Sequence, residues 1–174
     1  HGGYITPGEM KDLMGNNTKL PKELPSLKIN KNITNIKIPT CAYNSKKYQK
    51  TYIQTLRKFL IEFNNEILQL DLSENGGGKT EVIASGLLPL FLLQPNKILT
   101  NIESKTVKAG LKIINNEISN LPVDVVQTKK MDLIPKKIEV IMGEQTASAA
   151  EQIILALKVM EDITQIEFTG NPTA

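Results

Sequence analysis

The sequence predicts an α/β fold, because apolar segments with strand and helix patterns alternate along the chain. Residues 66–73 have the composition of a mostly buried strand, and residues 80–88 have that of an apolar helix. The same order recurs near the other end, where the β-branched run 138–142 precedes an amphipathic helix containing Ile153 and Leu157. The 174 residues, 40% of them hydrophobic, suffice for one compact domain that buries about 70% of its unfolded surface.

Four further segments complete the predicted order of elements. Residues 7–31 are rich in Pro, Asn and Lys, which predicts a surface loop or flap. Residues 46–64 have the apolar spacing of a core-facing helix, and residues 98–102 predict a short strand. Residues 107–131 begin with a strand- or helix-like apolar pattern and continue as polar irregular chain. A cap insertion over about residues 105–133 and a plain connector both fit that region.

One serine, Ser148, stands in a turn of small residues immediately before the second predicted helix. A helix start offers unpaired backbone N–H groups and the positive end of the helix dipole, which stabilise an alkoxide or an oxyanion. The neighbouring alanines leave room for a peptide backbone to approach. Ser148 and Glu151 also spell the Ser-x-x-Glu pattern of a capping box, in which the hydroxyl only satisfies a helix N–H. From these residues alone, Ser148 could therefore be either a nucleophile or a helix cap.

Three successive glycines, Gly76, Gly77 and Gly78, follow the first of these strands. Without Cβ atoms, their backbone N–H groups can converge on one oxygen, which suits an oxyanion hole or a phosphate-binding loop. Residues 73–80 differ from the P-loop pattern G-x-x-x-x-G-K-[ST] only at Ser73, which replaces the first glycine. Because the chain offers no convincing second strand ending in a magnesium-binding aspartate, a P-loop nucleotide-binding protein is a remote alternative.

The two motifs together resemble those of the C-terminal processing, or tail-specific, serine peptidases. Residues 70–78 (LDLSENGGG) are similar to the D-L-R-x-N-x-G-G loop of that family, and residues 146–151 (TASAAE) to its T-A-S-A/S-A-E nucleophile turn. Residues 35–39 resemble the entry strand of the family, and residues 170–174 resemble the start of its G-x-x-T-x-G segment. The resemblance extends over about residues 33–174.

This resemblance implies a crotonase/ClpP-like core of repeated β-β-α units and a serine endopeptidase that cleaves an extended peptide near its C-terminus without a cofactor. Ser148 would be the nucleophile. Backbone N–H groups at Gly77, Gly78 and Ala149 would form the oxyanion hole. Ser73 stands where the family often has arginine, so the role of that arginine does not carry over to this chain.

The general base is the part of the mechanism that the sequence leaves open, because serine needs a neighbour to accept its proton. Many family members use a lysine shortly after the G-x-x-T-x-G segment, and that lysine would lie beyond Ala174. Lys158 is excluded, because it lies about 15 Å along the same helix from Ser148. Lys79 fits a solvated charge better than a base.

The single histidine, His1, is the other candidate base. Residues 1–5 resemble the H-[SG]-x-[YF] segment of the family, and in the nisin resistance proteins, a branch of that family, this histidine is the base. An imidazole ordinarily has a pKa near operating pH, as base catalysis requires. The alternatives are an ordinary terminal residue and the remnant of an expression tag.

The spacing before the core is also similar to the nisin resistance branch. Typical members of the family insert a PDZ domain there, whereas residues 9–32 are too few for a domain. We expect an N-terminal segment, residues 1–32, with the histidine and a surface loop, and a C-terminally truncated peptidase core, residues 33–174. The resemblance implies an extracellular or membrane-anchored bacterial protein, with the anchor outside this chain. Its substrate would be a lantibiotic or the unstructured tail of a protein; an inactive or truncated peptide-binding relative is the alternative.

Composition excludes several other classes of function. A net charge of +3 from 21 basic and 18 acidic side chains, with four Tyr, four Phe and no Trp, offers neither a basic stripe nor a stacking platform for nucleic acid. One cysteine, Cys41, and one histidine are too few for a disulfide or a zinc site, so we expect Cys41 to be a small buried residue.

Overall fold

The computed structural model describes residues 23–94 and 128–171 in full and the backbone of residues 98–103, 108–114 and 117–118. The strands in these ranges are β1 (Ser26–Asn30), β2 (Ile33–Lys37), β3 (Ile67–Asp71), β4 (Ile98–Glu103), β5 (Lys108–Ile114), β6 (Glu117–Ile118), β7 (Lys137–Ile141) and β8 (Gln165–Thr169). The helices are α1 (Lys46–Ile61), α2 (Thr80–Gly86), α3 (Leu88–Phe91) and α4 (Ala149–Leu157), followed by a 3₁₀ helix (Lys158–Asp162).

The main sheet has five strands in the order β1-β2-β3-β7-β8. β1 is antiparallel to β2, and every other neighbouring pair is parallel. Alternate residues of the central strands face opposite sides, so that Ile36, Leu70 and Val140 are fully buried while the other face is mostly polar and partly exposed. Because β3 and β7 are parallel, they end side by side, with Asp71 paired to Ile141.

Among the fully described residues, the helices and the apolar side of the main sheet form one hydrophobic core. α1 begins at the N-cap Ser45, whose side chain accepts a hydrogen bond from the N–H of Tyr48. Each large aliphatic side chain buried in this layer stabilises the fold by about 1.5 to 3 kcal/mol. The buried helical residues include Tyr52, Leu56, Leu60, Val82, Ile83, Ile153 and Leu157.

One charged side chain, Arg57 of α1, lies inside this helical layer with 7% of its surface exposed. Its Nε donates to the backbone oxygen of Ser85 at 2.8 Å, and its Nη2 donates to the Ser85 hydroxyl at 2.8 Å. The next residue, Gly86, packs against α1, since a Cβ there would lie 2.6 Å from Cδ2 of Leu56. Arg57 therefore ties α1 to the end of α2, where the two helices pack closely.

Most of the predicted elements are confirmed. The strands predicted over residues 66–73, 98–102 and 138–142 correspond to β3, β4 and β7, and the helix predicted over residues 46–64 corresponds to α1. The α/β class is confirmed by the five-stranded sheet and the helices that cover it.

The helix predicted over residues 80–88 forms two separate helices. α2 ends at Gly86, and Pro89 lies in the first turn of α3. Proline is tolerated in a first turn, where its missing N–H would have no intrahelical acceptor. Pro89 therefore belongs to the start of a new helix.

The loop predicted over residues 7–31 is wrong for its last part, because Ser26–Asn30 forms β1. All five residues of β1 pair with β2 in a hairpin, and the turn includes Lys31 at a φ of 52°. Polar composition therefore does not prevent an edge strand when a neighbouring strand offers its backbone. Residues 7–22 of the predicted loop lie outside the described residues.

A smaller antiparallel sheet, in the order β4-β5-β6, is formed by the chain between α3 and β7. The apolar start of residues 107–131, which the sequence left between strand and helix, is the strand β5. The division into an N-terminal segment, a core and a cap stays a prediction.

We expect Arg57→Met to lower the free energy of unfolding by about 1 to 3 kcal/mol, because the oxygens of Ser85 would lose buried donors. Urea denaturation followed by circular dichroism measures this change. The matched control is Lys58→Met on the same helix, where the Lys58 side chain is 67% exposed and a change within about 0.5 kcal/mol is expected. Equal stability of the two variants would contradict the role given to Arg57.

Candidate functional site

The candidate site lies where the parallel strands β3 and β7 end side by side. Leu72 N–H continues the pairing by donating to the oxygen of Ile141 at 2.9 Å. The glycine loop, residues 72–79, leaves β3, and the serine turn, residues 142–148, leaves β7. Topology thus brings together the two motifs that the sequence analysis singled out.

Thr146 fixes the serine turn to the end of β3. Its hydroxyl donates to the backbone oxygen of Leu72 at 2.8 Å and accepts from the N–H of Gly143 at 2.9 Å, and Thr146 is fully buried. Gly143 itself leaves no room for a side chain, because a Cβ would lie 2.5 Å from the oxygen of Ser73. The turn before Ser148 is therefore tightly anchored to the glycine loop.

Asn75, fully buried in the glycine loop, connects three segments. Its Nδ2 donates to the oxygens of Ile38 at 2.9 Å and Pro39 at 3.3 Å, and its Oδ1 accepts from the N–H of Gly77 at 2.9 Å. Its backbone oxygen accepts from the N–H of Ala147 at 3.2 Å. One amide side chain thus holds the glycine loop against the end of β2, and its backbone holds the serine turn.

Ser148 is exposed and has an unusual backbone conformation, with φ 55° and ψ −115°. A non-glycine residue in such a sparsely populated region costs on the order of 1 to 3 kcal/mol and persists only where its surroundings enforce it. The carboxylate of Glu151 accepts from the Ser148 N–H at 2.6 Å. The Ser148 side chain in turn faces the backbone N–H of Glu151, so the two residues form a capping box. This strained serine is therefore held at the helix start by Glu151 and is still exposed.

The glycine loop lies directly against this serine. A Cβ on Gly77 would lie 2.8 Å from Cβ of Ser148 and 3.2 Å from the backbone nitrogen of Ala149, and a Cβ on Gly78 would lie 2.2 Å from the oxygen of Cys41. Both glycines also have positive φ, 101° and 126°. Neither position accepts a side chain without rearrangement, so the close approach of loop and serine depends on glycine.

The backbone N–H groups around Ser148 differ in what they bind. Gly77 donates to the Asn75 side chain, and Lys79 donates to the oxygen of Cys41 at 2.9 Å. Within the fully described ranges 23–94 and 128–171, the N–H groups of Gly78 and Ala149 have no hydrogen-bond acceptor. One donor in the glycine loop and one at the start of α4 are therefore without an acceptor in these ranges.

The acceptors of these backbone N–H groups argue against a phosphate-binding site in the glycine loop. In a P-loop, successive N–H groups converge on phosphate oxygens, whereas those of Ser73, Asn75, Gly77 and Lys79 bind acceptors within the protein. The Thr80 hydroxyl, at the position of the P-loop Ser/Thr, donates to the side chain of Gln152 on α4.

Cys41 is buried, as the sequence predicted, with no exposed surface. Burial raises the pKa of its thiol to about 11, although the nearby charge of Lys79 opposes that shift. Because the thiolate is the reactive form, Cys41 is unsuited to be a nucleophile. The backbone of Cys41 instead helps to fix the glycine loop: its oxygen accepts from the N–H of Lys79, and its N–H donates to the oxygen of Gly77 at 3.1 Å.

The structure leaves the base unassigned. His1 lies outside the described residues, and of residues 170–174 only Gly170 and Asn171 are described. Lys158 is exposed at the end of α4, nine residues of helix away from Ser148. Among the described residues, no cluster of His, Cys, Asp and Glu side chains could hold a metal ion. None of the described helices has the length and apolar character of a membrane span.

The anchoring roles of Thr146 and Asn75 were not predicted from the sequence. Both belong to the motifs quoted there, yet a sequence does not show which carbonyl a buried polar side chain will bind. Asn75 directly precedes the three glycines, and Thr146 lies two residues before Ser148. These positions inside the motifs are the one signal that could have pointed to them.

No protein-family model matches the chain, and no curated protein matches it. Among solved structures, a lipoprotein from Streptococcus agalactiae is 25% identical over 87% of this chain and 50% of its own, with a TM-score of 0.69. A protein assigned to the S41 proteases, from Bacteroides fragilis, is 17% identical over 86% of this chain and 38% of its own, with a TM-score of 0.58. A photosystem II D1 C-terminal processing protease is 18% identical over 81% of this chain and 31% of its own, with a TM-score of 0.50.

The chain spans half or less of each of these proteins. At these identities the two proteases show similarity of fold. The chain therefore has the mixed α/β architecture found in S41 and C-terminal processing proteases and in the streptococcal lipoprotein.

We expect Asn75→Asp to destabilise the protein by at least about 3 kcal/mol at pH 7, because a buried carboxylate cannot donate to Ile38 and Pro39. Burial would raise the folded-state pKa of the new carboxyl above its unfolded value, so the loss should be smaller at pH 4 than at pH 7. Urea denaturation at both pH values measures it, with Asn44→Asp on the exposed surface as control. A loss of equal size at both pH values would count against the Asn75 contacts.

Proposed function

We propose that this chain carries the nucleophile and oxyanion hole of a serine endopeptidase that cleaves an extended peptide near its C-terminus. The observation that carries this proposal is the contact between the strained, exposed Ser148 and a positive-φ glycine loop with an unused N–H. A solvated loop or an ordinary helix cap needs neither the strain nor the close approach. The fold similarity to S41 and C-terminal processing proteases supports the same reading.

In this mechanism Ser148 Oγ attacks the scissile carbonyl carbon, and its proton passes to a base. The N–H groups of Gly78 and Ala149 donate to the oxyanion that develops on the former carbonyl oxygen. Removing one such donor typically slows an enzyme by about 10² to 10³-fold. Ala149 lies at the first position of α4, so its N–H also contributes the positive end of the helix dipole.

Gly77 has a different part in this proposal from the one the sequence predicted. Its N–H already donates to Asn75, so we assign the oxyanion to Gly78 and Ala149. Gly77 contributes by having no side chain, since a Cβ would meet the Cβ of Ser148.

Glu151 orients the nucleophile in this scheme and does not act as its base. Its carboxylate binds the N–H of Ser148 itself, which holds the first turn of α4 and the serine backbone in place. The base is then His1, which would form a serine–histidine dyad as in the nisin resistance proteins, or a lysine beyond Ala174. We favour His1 because residues 1–5 resemble the histidine segment of that branch.

The proposed substrate is a peptide or an unstructured protein C-terminus, and a lantibiotic would fit the nisin resistance branch. We place the protein outside the cell or at the surface of a bacterium, anchored by a segment outside this chain. The similarity to a streptococcal lipoprotein supports that location.

A catalytically inactive relative that binds peptides in the same groove is the second candidate. The observation in its favour is the Ser148–Glu151 arrangement, which also fits a helix cap. Loss of catalysis would leave the fold and the groove intact, so the two candidates differ in turnover and agree in peptide binding.

We expect Ser148→Ala to abolish cleavage, with a loss of up to about a million-fold, while stability changes by about 1 kcal/mol or less. Cleavage of an extended peptide with a free C-terminus, followed by mass spectrometry, measures the activity. Ser45→Ala is the matched control, because Ser45 is also a helix N-cap but lies at the start of α1. That variant should lose about 1 kcal/mol and keep its activity.

A Ser148→Ala protein that retains full activity but melts earlier would establish the helix-cap role and exclude the nucleophile. Peptide binding without turnover in the parent protein would favour the inactive relative.

If His1 is the base, we expect activity to rise with pH through an apparent pKa of about 6 to 7, because only neutral imidazole accepts the serine proton. A lysine base would move that rise to a different pH. The measurement compares this chain, a version extended beyond Ala174, and His1→Ala within the extended version. An active His1→Ala protein would exclude the Ser148–His1 dyad and point to a serine–lysine mechanism.

A further inference from the structure

The carbonyl oxygen of Gly77 is held by two donors from one neighbouring segment. The Thr40 hydroxyl donates to it at 2.7 Å, and the N–H of Cys41 donates to it at 3.1 Å. That segment is itself held, because the hydroxyl of the buried Tyr52 donates to the oxygen of Pro39 at 2.6 Å. The Gly77 carbonyl therefore points toward a fixed partner.

The direction of this carbonyl sets the direction of the Gly78 N–H. A trans peptide unit is planar, and its C=O and N–H point in opposite directions. The unit between two glycines meets little steric resistance to rotation as a whole, because glycine tolerates both signs of φ. The bonds from the Gly77 N–H to Asn75 and from the Lys79 N–H to Cys41 hold the two ends of this segment. The hydrogen bonds at the Gly77 oxygen act on the unit itself and keep the Gly78 N–H pointing away from Thr40 and Cys41.

We propose that Thr40 is a positioning residue for the oxyanion hole, acting through the Gly77 carbonyl to orient the Gly78 N–H. This inference rests on the proposed function, in which that N–H binds the oxyanion. Thr40 is one residue before Cys41, whose backbone N–H makes the second bond to the same oxygen. The hydroxyl contributes the shorter of the two bonds, and a side chain of the same shape without the hydroxyl would leave the Cys41 bond in place.

The first test compares Thr40→Val, which keeps the shape and removes the donor, with Thr40→Ser, which keeps the donor. For peptide cleavage we expect Thr40→Val to lower kcat by about 10 to 100-fold, short of the full loss of an oxyanion donor, with KM within about twofold. Thr40→Ser should restore kcat to within about threefold of the parent. The matched control is Thr164→Val, because the Thr164 hydroxyl also donates to a backbone oxygen, that of Pro135 at 2.6 Å.

The second test is independent of turnover. Crystal structures of the parent protein and of Thr40→Val report the orientation of the Gly77–Gly78 peptide unit. We expect this unit to be rotated or present in two orientations in Thr40→Val and to keep one orientation in Thr40→Ser. A single parent-like orientation in Thr40→Val would overturn the inference, as would a kcat loss no larger than that of Thr164→Val.

The two tests separate the inference from the proposed function. If the parent and Ser148→Ala proteins are equally inactive, the proposed function fails, and the peptide orientation in Thr40→Val still decides whether Thr40 positions this unit. If the parent is active and Thr40→Val retains both its kcat and its peptide orientation, the proposed function survives and the role of Thr40 is excluded.

Discussion

The hydrogen bonds of Asn75 are the constraint on which the rest of the site depends. A buried amide must satisfy both its donors and its acceptor, and Asn75 does so by binding the end of β2 and the N–H of Gly77 at once. Its backbone oxygen then receives Ala147. The glycine loop thus cannot shift without stranding a polar group in the core, and the position of Ser148 relative to the loop follows from that restriction.

Ser148 combines the geometry of a capping box with exposure to solvent, so its place at the helix start does not exclude a nucleophile. Glu151 binds the backbone N–H of the serine, the Ser148 side chain faces the N–H of Glu151, and the residue as a whole remains exposed. The unfavourable φ of Ser148 is offset by this charged hydrogen bond and by the anchoring of the preceding Thr146. A carboxylate three residues along therefore holds Ser148 at the helix start in a position open to solvent.

The strands, helices and two loop motifs were accessible from the sequence, because apolar spacing and glycine runs act locally. The sequence also suggested that Ser148 and the glycine loop belong together, but only through resemblance to a family. It could not show that the Gly77 oxygen is held by Thr40, since that bond joins residues 37 positions apart through tertiary packing. The bond from the Gly77 N–H to Asn75 is local, two residues apart, and is of a kind that an asparagine in a turn commonly makes. β1 was missed because its partner strand, more than its own composition, makes it a strand. The base could not be settled, as His1 lies outside the described residues.

The bond from Thr146 to Leu72 closes 74 residues of chain, and the parallel pairing of β3 with β7 that it completes has the same long reach. Contacts between such distant residues form slowly, because the entropy cost of closing a large loop comes before any stabilisation from the contact. A partly folded molecule therefore holds the serine and the glycine loop apart. The candidate site is therefore a product of the completed sheet, and neither motif forms it alone.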